Sequence, residues 1–185
     1  MYFHYRASIS GIIANGFFFP QGIMFFRMAT LHLMVGLPCS GKSTRAKQLE
    51  KQYNALLLSP DVWHIKLFGN DMGSADHDRN HTAVESVMWD HAARVLQLGV
   101  DVILDFGFWG KNERESFRQR AHALGAGFKI HYMDVPVKEL LKRMDKRNKI
   151  ARGNKDKHAE IFILTKEDME SYIKLFQPPD PEELL

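Results

Sequence analysis

One cysteine, Cys39, in 185 residues excludes any internal disulfide. The fold therefore draws nothing from an oxidising compartment, and a cytoplasmic location is expected. No group of histidines and cysteines has zinc-motif spacing, so a transition-metal site is not expected. An excess of one charge is lacking too, since 25 Lys and Arg against 22 Asp and Glu leave a formal net charge of +3. That mild balance makes no case for nucleic acid, which prefers a concentrated basic stripe. Repeats are absent, and 185 residues suffice for one α/β domain with a core but not for two full ones. Apolar residues at 45% and charged residues at 25% are ordinary for a globular protein.

A clean hydrophobic run is also missing. Residues 7–26 carry no charge, but Gly11, Asn15, Gly16, Pro20, Gln21 and Gly22 interrupt them, and no small-residue cleavage site follows. Met28 stands directly before the first strand pattern, with Met24 close by. The expectation is that translation starts near Met28 and that residues 1–27 are an upstream extension. An N-terminal arm and a membrane anchor are the alternatives, the anchor being the less favoured.

From Leu31 onward strand and helix patterns alternate, the signature of a mostly parallel sheet covered by helices. Strands are predicted over residues 31–35, 55–58, 100–104 and 128–135. Helices are predicted over residues 43–53, 78–98, 111–124 and 165–176, with a short helix or turn through Trp63 and Leu67. The long helix has an apolar stripe of Val84, Val87, Met88, Val95 and Leu98. A further helix opens at Pro136 and buries Val137, Leu140, Leu141 and Met144. Residues 147–160, rich in Lys, Arg, Asn and Gly, read as a basic mobile loop. The last helix buries Met169, Tyr172, Ile173 and Phe176, and Pro178, Pro179 and Pro181 end regular structure.

Between the first strand and first helix, Gly36-Leu37-Pro38-Cys39-Ser40-Gly41-Lys42-Ser43-Thr44 satisfies every fixed position of G-x-x-x-x-G-K-[ST]. Glycines let the backbone close on phosphates, and successive N–H groups form an anion nest at the positive end of a helix. Lys42 reaches the β- and γ-phosphates, Ser43 ligates Mg²⁺, and Thr44 can donate to a phosphate oxygen. A nucleoside triphosphate with Mg²⁺ is therefore the expected ligand. Cys39 reads as loop filler, with redox control of nucleotide binding as the alternative. Asp105, after Val102-Ile103-Leu104, stands where a carboxylate would hold the magnesium shell, and capping a turn is its plainer role.

The glycine-rich loop, Ser59-Pro60-Asp61, Asp105-Phe106-Gly107-Phe108-Trp109, Arg143 to Asn148 and Phe176-Gln177-Pro178-Pro179-Asp180 together resemble the small P-loop kinases catalogued as AAA-type ATP-binding proteins. That group is similar to chloramphenicol phosphotransferase, zeta-toxin kinases, gluconate kinase and polynucleotide kinase. The resemblance covers Leu31 to the C-terminus. It implies a three-layer P-loop NTPase fold of about four to five mostly parallel strands with a small basic lid at about residues 147–160. Asp61 matches the aspartate that acts as general base toward an acceptor hydroxyl, although Ser59-Pro60-Asp61 is also a good helix start. Arg143, Arg147 and Arg152 match lid arginines that close over ATP, although Glu139 can pair with Arg143 and the cations suit a helix C-terminus. It implies ATP rather than GTP, with Phe176 and the prolines as candidate base contacts, although no fifth strand, which usually supplies part of the adenine pocket, is recognised.

Phe106, Phe108 and Trp109 could wall an acceptor pocket or pack in the core. His77, Asp78, Arg79, Asn80 and His81 could contact substrate or cap the long helix. The leading function is transfer of the γ-phosphate of ATP to a hydroxyl of a small molecule. A nucleic-acid 5′-hydroxyl kinase and a nucleotide-sensing module without an acceptor are the alternatives. No extra helical domain or trans-acting arginine of an oligomeric AAA motor is recognised.

Overall fold

Strands buried on both faces read as continuous apolar runs, and TLHLMV has five of its six residues buried. The computed structural model describes residues 28–69, 71–153 and 162–185. Among these, β1 (Thr30–Val35), β2 (Leu56–Leu58), β3 (Val102–Gly107) and β4 (Gly127–Tyr132) form one parallel sheet in the order β2-β3-β1-β4. The helices are α1 (Lys42–Tyr53), α2 (Pro60–Phe68), α3 (His77–Gln97), α4 (Lys111–Ala123), α5 (Val137–Gly153) and α6 (Lys166–Leu175).

Alternate strand residues divide between two cores. Leu31, Leu33 and Val35 join Val102 and Leu104 against Val84, Met88, Ala92 and Leu96 of α3 and Ala121 of α4. Met34 and Ile103 face the other way, onto Ala46 and Leu49 of α1. This is the three-layer arrangement expected. A third cluster of Leu37, Leu140, Met144, Leu164 and Met169 fastens the loop after β1 to α5 and α6.

Several boundaries differ from the sequence expectation, each for a local reason. The buried stripe of α3 runs through Val84, Met88, Ala92 and Leu96, while Val87 and Leu98 are exposed. Ala92 joins the stripe because its small side chain admits close packing on the sheet. β3 begins at Val102 because Asp101 spends its carboxylate on the backbone N–H of Thr30, 2.9 Å away. It continues to Gly107, so Asp105 lies within the strand. β4 stops at Tyr132, which pairs with Val35, the last residue of β1; beyond it the neighbouring strand has ended.

Helix α5 continues to Gly153, so residues 147–153 are helical rather than loop. Asn148 extends its buried face by donating to Leu164 O at 2.7 Å. The rest of the expected lid, residues 154–160, and the expected extension, residues 1–27, lie outside the described residues. At the C-terminus Pro181 opens a 3₁₀ turn, Pro181–Leu184, and Asp180 and Glu183 form a reciprocal cap. Glu183 takes two hydrogen bonds from buried Arg114, at 2.8 and 2.9 Å, and Arg114 Nη1 donates to Gln177 O at 2.8 Å. That guanidinium clasps the final segment to α4.

Candidate active site

The loop leaving β1 is shaped mainly by its backbone. Gly36 has φ +145°, and a Cβ there would crowd Met133 O and Ser40 Oγ at 3.0 Å, so a side chain would be strained and tightly packed. Gly41, at φ +101°, turns the chain into α1. Cys39 takes a φ of 64° in the sparsely populated left-handed region. No side chain caps α1 and its first turn holds no acidic residue, so its leading N–H groups and positive dipole end face the loop. Lys42 Nζ folds back onto Leu37 O at 2.9 Å. Burial draws the Lys42 pKa below the ordinary lysine value, against the pull of Asp105 and Asp61. Ser43 and Thr44 are exposed, and Ser40 Oγ is buried without a partner.

Asp105 meets this loop from β3. Its Oδ2 accepts from Ser59 Oγ at 3.3 Å, Ser43 is a second hydrogen-bond partner, and Oδ1 is buried with none. Burial pushes its pKa up, with Ser43 and Lys42 pulling back. A serine hydroxyl beside an open carboxylate oxygen is a donor set suited to a hard cation such as Mg²⁺.

Ser59, in extended backbone, is followed by Pro60 at the first position of α2, which puts Asp61 in the first turn. Asp61 is exposed, and its Oδ1 lies 3.5 Å from His81 Nε2, while His81 Nδ1 lies 3.5 Å from Glu85 Oε1. Hydrogen bonding to Asp61 raises the His81 pKa despite burial. Glu85 is pushed up to about 7, chiefly by burial, with His81 opposing. The five residues considered at the start of the long helix separate accordingly. His81 faces Asp61, whereas His77 and Asn80 turn to Asp71. Arg79 pairs with Asp76 at 3.1 Å, and Asp76 rather than Asp78 precedes the helix.

Of the two placements open to the aromatics after Asp105, Phe108 takes the core. Phe108 is a core residue, 1% exposed, stacked with Phe106 at 5.5 Å and meeting Phe117 edge-on. Trp109 packs on Tyr172 with ring centroids 4.6 Å apart.

Helix α5 brings two arginines to the loop. Arg143 Nε donates to Glu139 at 2.8 Å, as helical spacing allows, and its Nη1 reaches Ser40 O at 3.4 Å. Arg147 Nη1 stands 3.7 Å from Cys39 Sγ, Nη2 donates to Phe162 O, and Nε is buried without a partner. Arg152 is exposed in the last turn of α5. Beside Leu37, a groove of about 310 Å³ is lined by Tyr132, Val135, Ile173, Phe176 and Pro178 among others.

Glu85, His64 and Asp71 also come to this region and were not expected there from the sequence. Glu85 follows His81 by one helical turn, so the i, i+4 spacing of His77, His81 and Glu85 was an available signal. His64 and Asp71 had none, because a loop of unknown path separates them; His64 Nε2 and Asp71 Oδ1 lie 2.6 Å apart. With His77 they make the histidine–carboxylate cluster that the spacing rules did not anticipate.

The family model described as an AAA domain matches residues 31–172. Among solved structures, Chaetomium thermophilum Kti12 in complex with ADP-AlF3 is 21% identical, with a TM-score of 0.62 and 82% of each chain covered. A sugar kinase from Janibacter sp. HTCC2649 is 16% identical, with a TM-score of 0.58, covering 85% of this chain and 82% of that one. A chain of the Pnkp1/Rnl/Hen1 RNA repair complex is 20% identical with a TM-score of 0.63 over 80% of this chain, which spans only 44% of that one. No curated protein matches the sequence. The fold is that of P-loop, nucleotide-binding, kinase-like proteins.

Proposed function

This chain belongs to the AAA domain family, and from that premise we propose that it is an ATP-dependent kinase phosphorylating a hydroxyl of a small molecule. One observation carries the proposal: Lys42, Arg143 and Arg147 converge on the Gly36–Thr44 loop from two helices, while Asp61 lies close enough for its charge to act on Lys42 and Asp105. A loop that only sensed nucleotide would need neither the carboxylate nor the arginines.

In this reading the N–H groups of the loop and the start of α1 bind the phosphates, and Lys42 leaves Leu37 O for the β- and γ-oxygens. Ser43 and Asp105 would hold Mg²⁺, Asp105 through water. The ion would neutralise charge on the phosphate oxygens. Arg143 and Arg147 supply further positive charge where the transferred group becomes more anionic. Asp61 accepts the proton of the acceptor hydroxyl, and His81 with Glu85 provides an onward path for it. The groove beside Leu37 suits the nucleotide base, with Phe176 and Pro178 as its apolar contacts.

The charge balance favours a small molecule over a nucleic acid, since a formal net charge of +3 supplies no concentrated basic stripe for a phosphodiester backbone. The test is ADP release across a panel of sugars, other polyols, amino alcohols and oligonucleotides, with Lys42→Ala as baseline. A small-molecule hydroxyl compound should raise turnover above that baseline. Stimulation by oligonucleotides alone would transfer the assignment to a nucleic-acid kinase, and stimulation by nothing would favour a sensing module.

A further inference from the structure

His64, Asp71 and His77 come from α2, the following loop and the start of α3, and their ligand-capable atoms all lie within 4.8 Å of one another. His64 Nε2 and His77 Nδ1 both address Asp71 Oδ1, at 2.6 and 2.7 Å. We propose that His64, Asp71 and His77 bind a borderline divalent transition-metal ion, zinc above all, which ties α2 to the N-terminus of α3.

Two imidazoles and one carboxylate are a ligand set for zinc and its neighbours rather than for magnesium or calcium, which prefer oxygen alone. A fourth position is left for water. Asn80 Nδ2 donates to the other oxygen of Asp71 at 3.3 Å, the outer-shell bond that orients a ligating carboxylate. Phe162 lies edge-on to both imidazoles, at 5.5 and 5.4 Å, and Phe68 packs on His64 at 5.3 Å. This apolar shell lines one side of a site that an ion can still reach, because the side chains of Asp71 and His77 are 16% and 17% exposed.

The burial of His64 is the second indication. Its side chain is 0% exposed, and its Nε2 is aimed into the cluster, 2.6 Å from Asp71 Oδ1. One shared hydrogen bond offsets little of the cost of burying that ring, and a coordinate bond at Nε2 offsets more. The present separations are those of hydrogen bonds. Ligand atoms about 2.0–2.2 Å from a tetrahedral ion stand roughly 3.4 Å apart, so binding asks for under about 1 Å of spreading.

The site is distinct from the residues assigned to phosphoryl transfer, and its test does not depend on kinase activity. Co²⁺ titrated into the nucleotide-free full chain at neutral pH should bind at one equivalent with visible absorption bands. Zn²⁺ should displace it and Mg²⁺ should not. His77→Ala and Asp71→Asn should each weaken binding by more than about tenfold, and Asp105→Asn should leave it intact. Circular dichroism identifies any variant that fails to fold, and the folded one of the pair then decides. Absence of stoichiometric binding, or binding equal in wild type and the folded variant, would overturn the site.

Discussion

Lys42 and Glu85 are two single residues whose surroundings alter their chemistry in opposite ways. Burial destabilises the charged form of Lys42, so an anion at the loop gains more from it than from an exposed lysine. Lys42→Ala is expected to lower turnover at least about 10²-fold, measured as ADP release under saturating nucleotide. For Glu85, the folded pKa of about 7 lies above the ordinary glutamate value, so the folded chain retains a proton that the unfolded chain has lost. Its contribution to stability is therefore present in acid and is lost as pH rises from about 4.3 toward 7. His81, also raised, changes stability in the same sense. Glu85→Gln keeps the neutral shape, so urea midpoints taken between pH 5 and 8 should vary less in that variant than in wild type.

Elements explain how far the sequence could be read. The loop and its flanks were legible because the motif needs a strand before it and a helix after it, and both patterns are strong there. The place of Asp61 in the first turn of α2 was legible because Ser59-Pro60 is a good helix start. Boundaries failed where tertiary partners decide. β4 ends because β1 does, and α5 continues because Asn148 finds Leu164. His64 and Asp71 were not expected because their meeting arises from the packing of α2 and the following loop on α3, which periodicity does not report, whereas His81 and Glu85 share one helix at a spacing the sequence shows. The strand pair β1 and β4 carries a prediction of its own. His131 on β4 is held down to about 4, mainly by burial, beside His32, whose Nδ1 is 2.9 Å from His131 Nε2. It stays neutral in the folded chain while the unfolded chain protonates near 6.5, so stability should fall as pH drops from about 6.5 toward 4. His131→Gln should reduce that acid-side loss in denaturant titrations at pH 7 and pH 5.

The whole molecule is closed by Arg114, buried on α4 and holding the C-terminal segment through Gln177 and Glu183. Removing one partner of a buried pair leaves the other uncompensated, so Arg114→Ala should cost about 3–5 kcal/mol in chemical denaturation. Arg114→Lys should rescue little, since an ammonium cannot make the two parallel bonds to Glu183. With that segment in place, Phe176 and Pro178 line the groove beside the loop, so integrity of the C-terminus and nucleotide affinity should fall together in Arg114→Ala. The central claim joins the loop to Asp61 across the site. Its most direct measurement is ³¹P NMR of ATP incubated with the best acceptor from the panel, using wild type, Lys42→Ala and Asp61→Asn. The expected result is a new phosphomonoester signal matched by ADP in wild type, with formation slowed about 10²–10⁴-fold in Asp61→Asn while nucleotide still binds. Formation of ADP and inorganic phosphate alone, at the same rate in wild type and Asp61→Asn, would contradict it.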